Sequence, residues 1–162
     1  MATTLKINRQ VETIDVRADD GSALYEWNVR TDDASMQRMI SMVGNALDRA
    51  HSLTDKAEKA DTDEARSEAN ADIARLQKRV ISAIIGSDGY NDVLEYIGGG
   101  EPCDPMENIV NIGDVFGALC VWLYERCTAK QLREAGVYFE RQRKSAPPNR
   151  AARRAKGKKK AK

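Results

Sequence analysis

The 162-residue sequence has few histidines and cysteines, two residue types on which many catalytic and metal sites depend. It contains one histidine, His51, and three cysteines without a CxxC pair, so it offers no ligand set for structural zinc. The odd cysteine count also argues against a disulfide framework and for a reducing compartment. Aromatic residues make up 6%, fewer than a stacking platform for nucleic-acid bases needs. We therefore expect neither an enzyme nor a metal or cofactor site.

Long hydrophobic runs are also lacking. The longest apolar segment, Ile109–Tyr124, is interrupted by Asn111 and Asp114 and is too short to cross a bilayer. The first ten residues do not combine a basic region with an apolar stretch, the pattern of a signal peptide. These features predict a cytoplasmic protein that does not enter a membrane.

Charge is distributed unevenly along the chain. The net charge is +1, but residues 143–162 contain ten Lys and Arg and no acid, so residues 1–142 carry −9. Pro147-Pro148 stops any helix, and no apolar periodicity follows, so we expect a disordered basic tail (residues 143–162). Its candidate residues for binding a polyanion or a protein partner are Arg150, Arg153, Arg154, Lys156, Lys158, Lys159 and Lys160. Such a tail binds nucleic acid, binds an acidic protein surface such as that of a neighbouring copy, or only aids solubility.

Apolar and polar residues alternate in the first thirty positions, at Leu5 and Ile7, at Ile14 and Val16, and from Tyr25 to Val29. Asp20-Gly21 between the last two runs is a hairpin turn signal. A β-hairpin or small antiparallel sheet is therefore predicted within residues 4–30. So small a sheet must pack on another element to be stable.

The apolar period becomes helical after residue 32. Asp32 or Asp33 can cap a helix whose apolar stripe runs from Met36 to Leu53. A second stripe, Ala65–Ile84, predicts an antiparallel partner helix, with the tip of this helical hairpin near Ala60. Glycines 86 and 89 then interrupt the pattern before a short amphipathic helix.

Three local signals organise the remaining helices. Gly98-Gly99-Gly100 ends the short helix, and Asp104-Pro105 with Glu107 predicts the start of the next one. The apolar positions of Ile109–Leu123 lie on most sides of that helix, so we expect it to be the central buried helix. Thr128–Gln131 is a second capping box and predicts a last helix through Arg143.

The predicted fold class is mostly α (α+β): a small N-terminal antiparallel hairpin, then a bundle of four to five helices, then a disordered basic C-terminal tail. The expected domain is residues 1–142, with the hairpin in 4–30 and helices over about 33–143, and the tail is 143–162. Within the folded domain, the flexible side chains of Met36, Met39 and Met42, with Val43, are candidates for a client or oligomer surface. The alternative is that they pack against the second helix.

The order of these elements resembles the tail assembly chaperones of long-tailed bacteriophages that infect Gram-positive bacteria. The likeness rests on an N-terminal strand pair, a long helical hairpin, the segment GSDGYNDVLEYIGGGEPCDPMENIVNIGDVFGALCVWLYE and a Lys-rich end. It runs across about residues 5–162. In the segment, a short Gly-flanked helix precedes a strongly apolar one.

This resemblance implies a non-enzymatic protein of the host cytoplasm. In that family, copies oligomerise and coat the aggregation-prone tape measure protein, and tail tube subunits displace them. A programmed −1 frameshift often adds a C-terminal extension, and the Lys codons of Gly157-Lys158-Lys159-Lys160 suggest a slippery site. The alternative interpretation is a nucleic-acid-associated helical protein that binds polyanions through its basic tail. Against it, the predicted folded part is acidic and shows no basic recognition helix.

Overall fold

A computed structural model describes residues 10–134 and confirms the predicted fold class, with a two-stranded antiparallel sheet followed by four helical elements. In chain order these are β1 (Val11–Arg17), β2 (Ala23–Arg30), α1 (Asp33–Glu58), α2 (Asp63–Ile97), α3 (Ile109–Arg126) and a helical segment at residues 129–134. The basic tail and the alternation at Leu5 and Ile7 lie outside the described residues.

The β1–β2 hairpin forms where the alternation predicts it. Ile14 lies opposite Trp27, and the turn contains Gly21 at φ 82°, a backbone conformation that glycine adopts without strain. The inward side chain of Trp27 is buried, and its Nε1 donates a hydrogen bond to Asp92 Oδ2 at 2.9 Å. This bond and the aromatic burial attach the small sheet to α2.

The helical hairpin of α1 and α2 is confirmed, including its first cap. Asp32 Oδ1 accepts a hydrogen bond from the backbone N–H of Ser35 at 3.0 Å, which satisfies one of the free donors at the start of α1. Thr62 caps α2 in the same way through the N–H of Ala65 at 3.1 Å. The predicted tip near Ala60 falls between these two helices.

Glycine breaks α2 into two segments. Gly86 has φ 84° and ψ 167°, a conformation open essentially only to glycine, so the helix axis is interrupted there. The second segment ends at Gly98, as the glycine run predicts, and Gly99 and Gly100 have positive φ. The chain then folds back, and the N–H of Cys103 donates to the carbonyl of Leu94 at 3.1 Å.

The predicted start of α3 at Asp104 is wrong. Asp104 Oδ1 instead accepts a hydrogen bond from the N–H of Met106 at 2.7 Å, and residues 105–108 form a turn. The helix begins four residues after Pro105, at Ile109. The second capping box is confirmed, because Thr128 and Gln131 exchange hydrogen bonds of 2.8 and 3.2 Å between their side chains and backbone N–H groups.

One buried cluster joins the sheet and the helices. Its most deeply buried side chains are Val29, Ile40, Val43, Val80, Ile81, Val93, Ile112 and Leu123. They come from β2, α1, both segments of α2, and α3, so all these elements are anchored in one core. Among residues 10–134, no helix combines the length and the hydrophobicity that crossing a membrane would require.

Candidate interaction surface

Helix α3 has one buried and one uncovered side, although the sequence predicts burial on most sides. Ile112, Phe116, Leu119, Cys120 and Leu123 are buried against the rest of the protein. The opposite side, here called the α3 outer face, consists of the exposed residues Val110, Asn111, Asp114, Gly117, Ala118, Val121 and Glu125. Val110 is 76% exposed and Val121 58% exposed. The most apolar helix of the described fold therefore presents β-branched side chains to solvent.

Close contacts with α2 determine which side of α3 faces outward. The side-chain Nε2 of Gln77 donates a hydrogen bond to the carbonyl of Ile109 at 3.1 Å, at the start of α3. A Cβ placed on Gly113 would lie 3.2 Å from the same Nε2, so the absence of a side chain there allows the close approach. These contacts fix the rotation of α3 and leave its outer face free of neighbours among the described residues.

A groove of about 420 Å³ lies beside the outer face, between β1 and α3. Its residues are mostly apolar and include Ile14, Val16, Trp27, Val93, Tyr96, Val115, Ala118, Leu119 and Trp122. The inward side chains of β1 are only half-buried, because the groove separates them from α3. Since Ala118 belongs to both features, the β1–α3 groove adjoins the α3 outer face, whose apolar members are Val110, Ala118 and Val121.

Arg126 lies at the C-terminal end of α3, beside this surface. Its Nε donates to Glu12 Oε1 at 2.6 Å, and its guanidinium lies 4.3 Å from the ring centroid of Trp122. The charged group therefore combines an ion pair with a cation–π contact on an aromatic residue of the groove. This surface can accommodate a guanidinium group between an aromatic ring and a carboxylate.

Arg17 borders the groove and Arg126 lies at the end of α3, but a long stretch of the chain on this side of the molecule contains no cation. Between Arg79 and Arg126 there is no Lys, Arg or His, but there are eight acids: Asp88, Asp92, Glu95, Glu101, Asp104, Glu107, Asp114 and Glu125. We call residues 80–125 the acidic segment. Residues 10–134 as a whole contain 24 acidic and 13 basic residues, a net charge of −11. Eight of the 24 acids thus lie on a stretch of chain without a cation, and this stretch includes α3 up to Glu125.

The methionine surface predicted from the sequence is not exposed, which corrects that prediction. Met36, Met39 and Val43 are buried members of the core, and Met42 is half-buried. Because the stripe has helical spacing and α1 packs against α2, burial against the rest of the bundle is the alternative that holds. The tail candidates Arg150, Arg153, Arg154, Lys156, Lys158, Lys159 and Lys160 lie outside the described residues.

The remaining reactive groups do not assemble into a site within residues 10–134. His51 is exposed on α1, and no group of three His, Cys, Asp or Glu with metal-binding geometry occurs among these residues. The Cys120 thiol is buried, and desolvation raises its pKa to about 11. A thiol with so high a pKa stays protonated and unreactive at neutral pH.

A second groove, of about 500 Å³, lies between the helical hairpin and the start of α3. It is bordered by Ala57, Asn70, Ile73 and Val110. Gln77 also borders it, and Gln77 Oε1 is buried without a hydrogen-bond partner among the described residues. Val110 connects this groove to the α3 outer face, so the uncovered area extends toward the helical hairpin.

Sequence reasoning missed this surface, although one signal for it is readable in the sequence. The gap of 46 residues without a cation, from Val80 to Glu125, marks the segment directly. The exposure of Val110 and Val121 is not readable, because α3 has apolar residues on both sides and only packing decides which side is covered.

Searches against protein-family models, curated proteins and solved structures returned no significant match to this chain.

Proposed function

We propose that this protein is a non-enzymatic assembly chaperone that binds an apolar helical segment of a client on the α3 outer face and the β1–α3 groove. The observation that carries the proposal is the uncovered apolar side of α3. Apolar patches that remain exposed on a folded chain mark interaction sites more often than chance placement. A helix laid into a groove is one of the recurring ways in which such surfaces are used.

The shape of the surface favours a helix over a small ligand. Gly117 and Ala118 have little or no side chain, so a partner backbone can approach α3 closely between Val110 and Val121. The adjoining groove, with Trp122 and Ile14 in its wall, offers space for large apolar side chains of the partner. Acidic residues around the surface would repel acidic clients and favour neutral or basic ones.

The resemblance of the sequence to tail assembly chaperones of long-tailed bacteriophages supplies the specific form of the proposal. The client is then the tape measure protein, copies of the chaperone oligomerise along it in the host cytoplasm, and tail tube subunits replace them. An uncovered apolar face on a small helical fold fits the task of keeping a long apolar client in solution. A nucleic-acid role would depend on the basic tail alone, since the net charge of −11 on residues 10–134 opposes binding to phosphates.

Co-expression with the tape measure protein of the encoding phage tests this proposal. We expect the tape measure protein to move from the insoluble to the soluble fraction and to co-purify with the chaperone in a stoichiometry above one copy per client. A tape measure protein that stays insoluble at every expression ratio would contradict the proposal. A chaperone fraction that elutes alone and monomeric at high concentration would contradict it as well.

A further inference from the structure

Most acids of the acidic segment have no basic partner within the described fold. Of the eight, only Glu125 approaches a cation, with its Oε2 3.8 Å from Arg126 Nη1. Asp92 and Asp104 accept neutral hydrogen bonds, from Trp27 and from the N–H of Met106. Seven carboxylates thus form no ion pair with residues 10–134, and they belong to the same stretch of chain as the uncovered apolar face. Uncompensated acids attract a basic segment, and apolar surface beside them can take the methylene stems of its Lys and Arg side chains.

The chain contains one such segment outside the described residues. The basic tail has ten Lys and Arg in twenty residues and no acid. Lys and Arg side chains can lay their methylene stems on apolar surface while their charged ends reach carboxylates. Arg126 already binds in this manner, between Trp122 and Glu12. On the α3 outer face, Val110 and Val121 offer apolar surface and Asp114 and Glu125 offer carboxylates to such side chains.

The tail follows α3 closely along the chain. Only Cys127 and Thr128 separate α3 from the helical segment 129–134. The 18 residues of α3 span about 27 Å at 1.5 Å per residue. The 15 residues between Glu134 and Arg150 can extend to about 50 Å at 3.3 Å per residue. The cations of the tail therefore reach the whole α3 outer face and the loop at Glu101–Glu107 of the same molecule.

We propose that residues 143–162 dock on the acidic segment of their own chain, with cations on its carboxylates and their stems on the α3 outer face. Docking within one molecule is favoured because a tethered segment has an effective concentration in the millimolar range for short linkers. The tail thereby covers the apolar face that the proposed function assigns to a client. The inference uses that surface, but its test involves no client, so either proposal can fail alone.

Zero-length carbodiimide cross-linking of the full chain tests this docking. The reagent joins Lys amines to carboxylates that are already in contact, and mass spectrometry identifies the joined peptides. The sample is an equal mixture of 15N-labelled and unlabelled chains, so that links within one chain and links between chains differ in mass. We expect links from Lys156, Lys158, Lys159, Lys160 and Lys162 to Glu101, Glu107, Asp114 and Glu125, almost all within single chains. High salt should abolish them, since about 1 M salt shortens the Debye length to about 3 Å.

Matched variants make the test specific to the surface. Glu101→Gln, Glu107→Gln, Asp114→Asn and Glu125→Gln together remove four exposed acids of the acidic segment. The control removes four exposed acids near the hairpin tip: Asp55→Asn, Glu58→Gln, Asp61→Asn and Glu64→Gln. At low salt, we expect trypsin to remove the tail at least about threefold faster from the first variant than from the unmodified chain, because the attraction that protects the tail is electrostatic. The control should match the unmodified chain.

Three results would overturn the inference. The first is a tail that forms no cross-links at low salt. The second is a tail linked mainly to Asp55–Glu64, which would show attraction to any acid rather than to this surface. The third is a share of mixed-label links that approaches one half, the value expected for random pairing between chains, which would assign the tail to a neighbouring copy.

Discussion

Two regions of the helical fold carry the same number of acids and use them differently. Residues 48–79, here called the hairpin arm, contain eight acids and seven Lys and Arg, whereas the acidic segment contains eight acids and no cation. In the hairpin arm, Arg66 approaches Asp63 at 3.5 Å and Arg75 approaches Asp72 at 3.2 Å, both at i,i+3 spacing. Mixed charge of this kind is typical of a solvated helix surface.

The apolar residues of the two regions differ in size and in exposure. Much of the stripe in the first half of α2 is alanine, as at Ala65 and Ala69, and its larger side chains Ile73 and Leu76 are buried. The acidic segment supplies deeper core residues such as Leu123, and it also exposes Val110 and Val121. Most acids of both regions form no ion pair among the described residues, so the regions differ in their cation content and in the exposure of the α3 valines.

Core truncation should give the largest difference between the regions. Leu123→Ala removes a fully buried side chain from the acidic segment, and we expect it to lower the free energy of unfolding by about 2–5 kcal/mol. Leu53→Ala in the hairpin arm should cost less, because that site lies near the end of α1 and can relax toward solvent. Urea unfolding followed by circular dichroism measures both. An equal or larger loss of unfolding free energy for Leu53→Ala would mean that burial in the hairpin arm contributes at least as much to stability as burial in α3.

The glycine that breaks α2 should be sensitive to substitution. Gly86→Ala forces a side chain into the conformation at φ 84°, and we expect a loss of about 1–3 kcal/mol in the free energy of unfolding. Gly44→Ala in α1 is the matched control. A Cβ there meets nothing within 4 Å and the backbone is helical, so we expect a gain of about 0.5–1 kcal/mol. Thermal or urea unfolding of both variants measures these changes. Stabilisation by Gly86→Ala would mean that residue 86 can adopt a helical conformation, so that the break in α2 is not required by the fold.

Alkaline pH should lower the free energy of unfolding because the Cys120 thiol is buried in the folded protein. Burial raises its folded-state pKa to about 11, above the ordinary value of 9.0, so the unfolded chain loses this proton first. The free energy of unfolding is then unaffected by this group below pH 9 and falls as pH rises from 9 toward 11. We expect Cys120→Ala to flatten part of that decline. An unchanged pH profile in the variant would contradict the burial of this thiol.

Thiol labelling distinguishes Cys120 from a cysteine in the loop of the same segment. At neutral pH, we expect iodoacetamide to modify the half-buried Cys103 in the folded protein and to reach the buried Cys120 only after unfolding. Mass spectrometry of proteolytic peptides measures each site. Equal labelling rates in the folded state would show that the core around α3 opens readily.

Local signals in the sequence predict the elements of this fold well. The Asp20-Gly21 turn, the Asp32 cap, the stop at Gly98 and the Thr128–Gln131 box each depend on bonds between residues close in sequence. Asp104-Pro105 fails as a helix start because the same side chain can close a turn instead, and the fold-back of the chain at Cys103 favours the turn.

Packing between the elements determines which apolar helix residues are exposed, and this cannot be read from the sequence. The methionines of α1 and the valines of α3 both lie on apolar stripes, and hydrophobicity alone cannot rank them. Burial of Met36 and Met39 and exposure of Val110 and Val121 follow from which side of each helix meets α2 and the sheet. The absence of cations between Arg79 and Arg126 can be seen in the sequence, and it marks the region that contains α3.

The most decisive experiment on the proposed client site compares the effects of substitutions at two exposed apolar positions of the fold, one on α3 and one on β2. Val110→Gln with Val121→Gln removes apolar area from the α3 outer face, and Leu24→Gln does so on the outer side of β2. Because all three sites are exposed, we expect stability to change by less than about 0.5 kcal/mol. Each variant is co-expressed with the proposed client, the tape measure protein, and the amount of soluble complex is measured. We expect a several-fold loss of complex for the α3 variant and none for Leu24→Gln. An undiminished complex with the α3 variant would mean that the client does not bind on the α3 outer face.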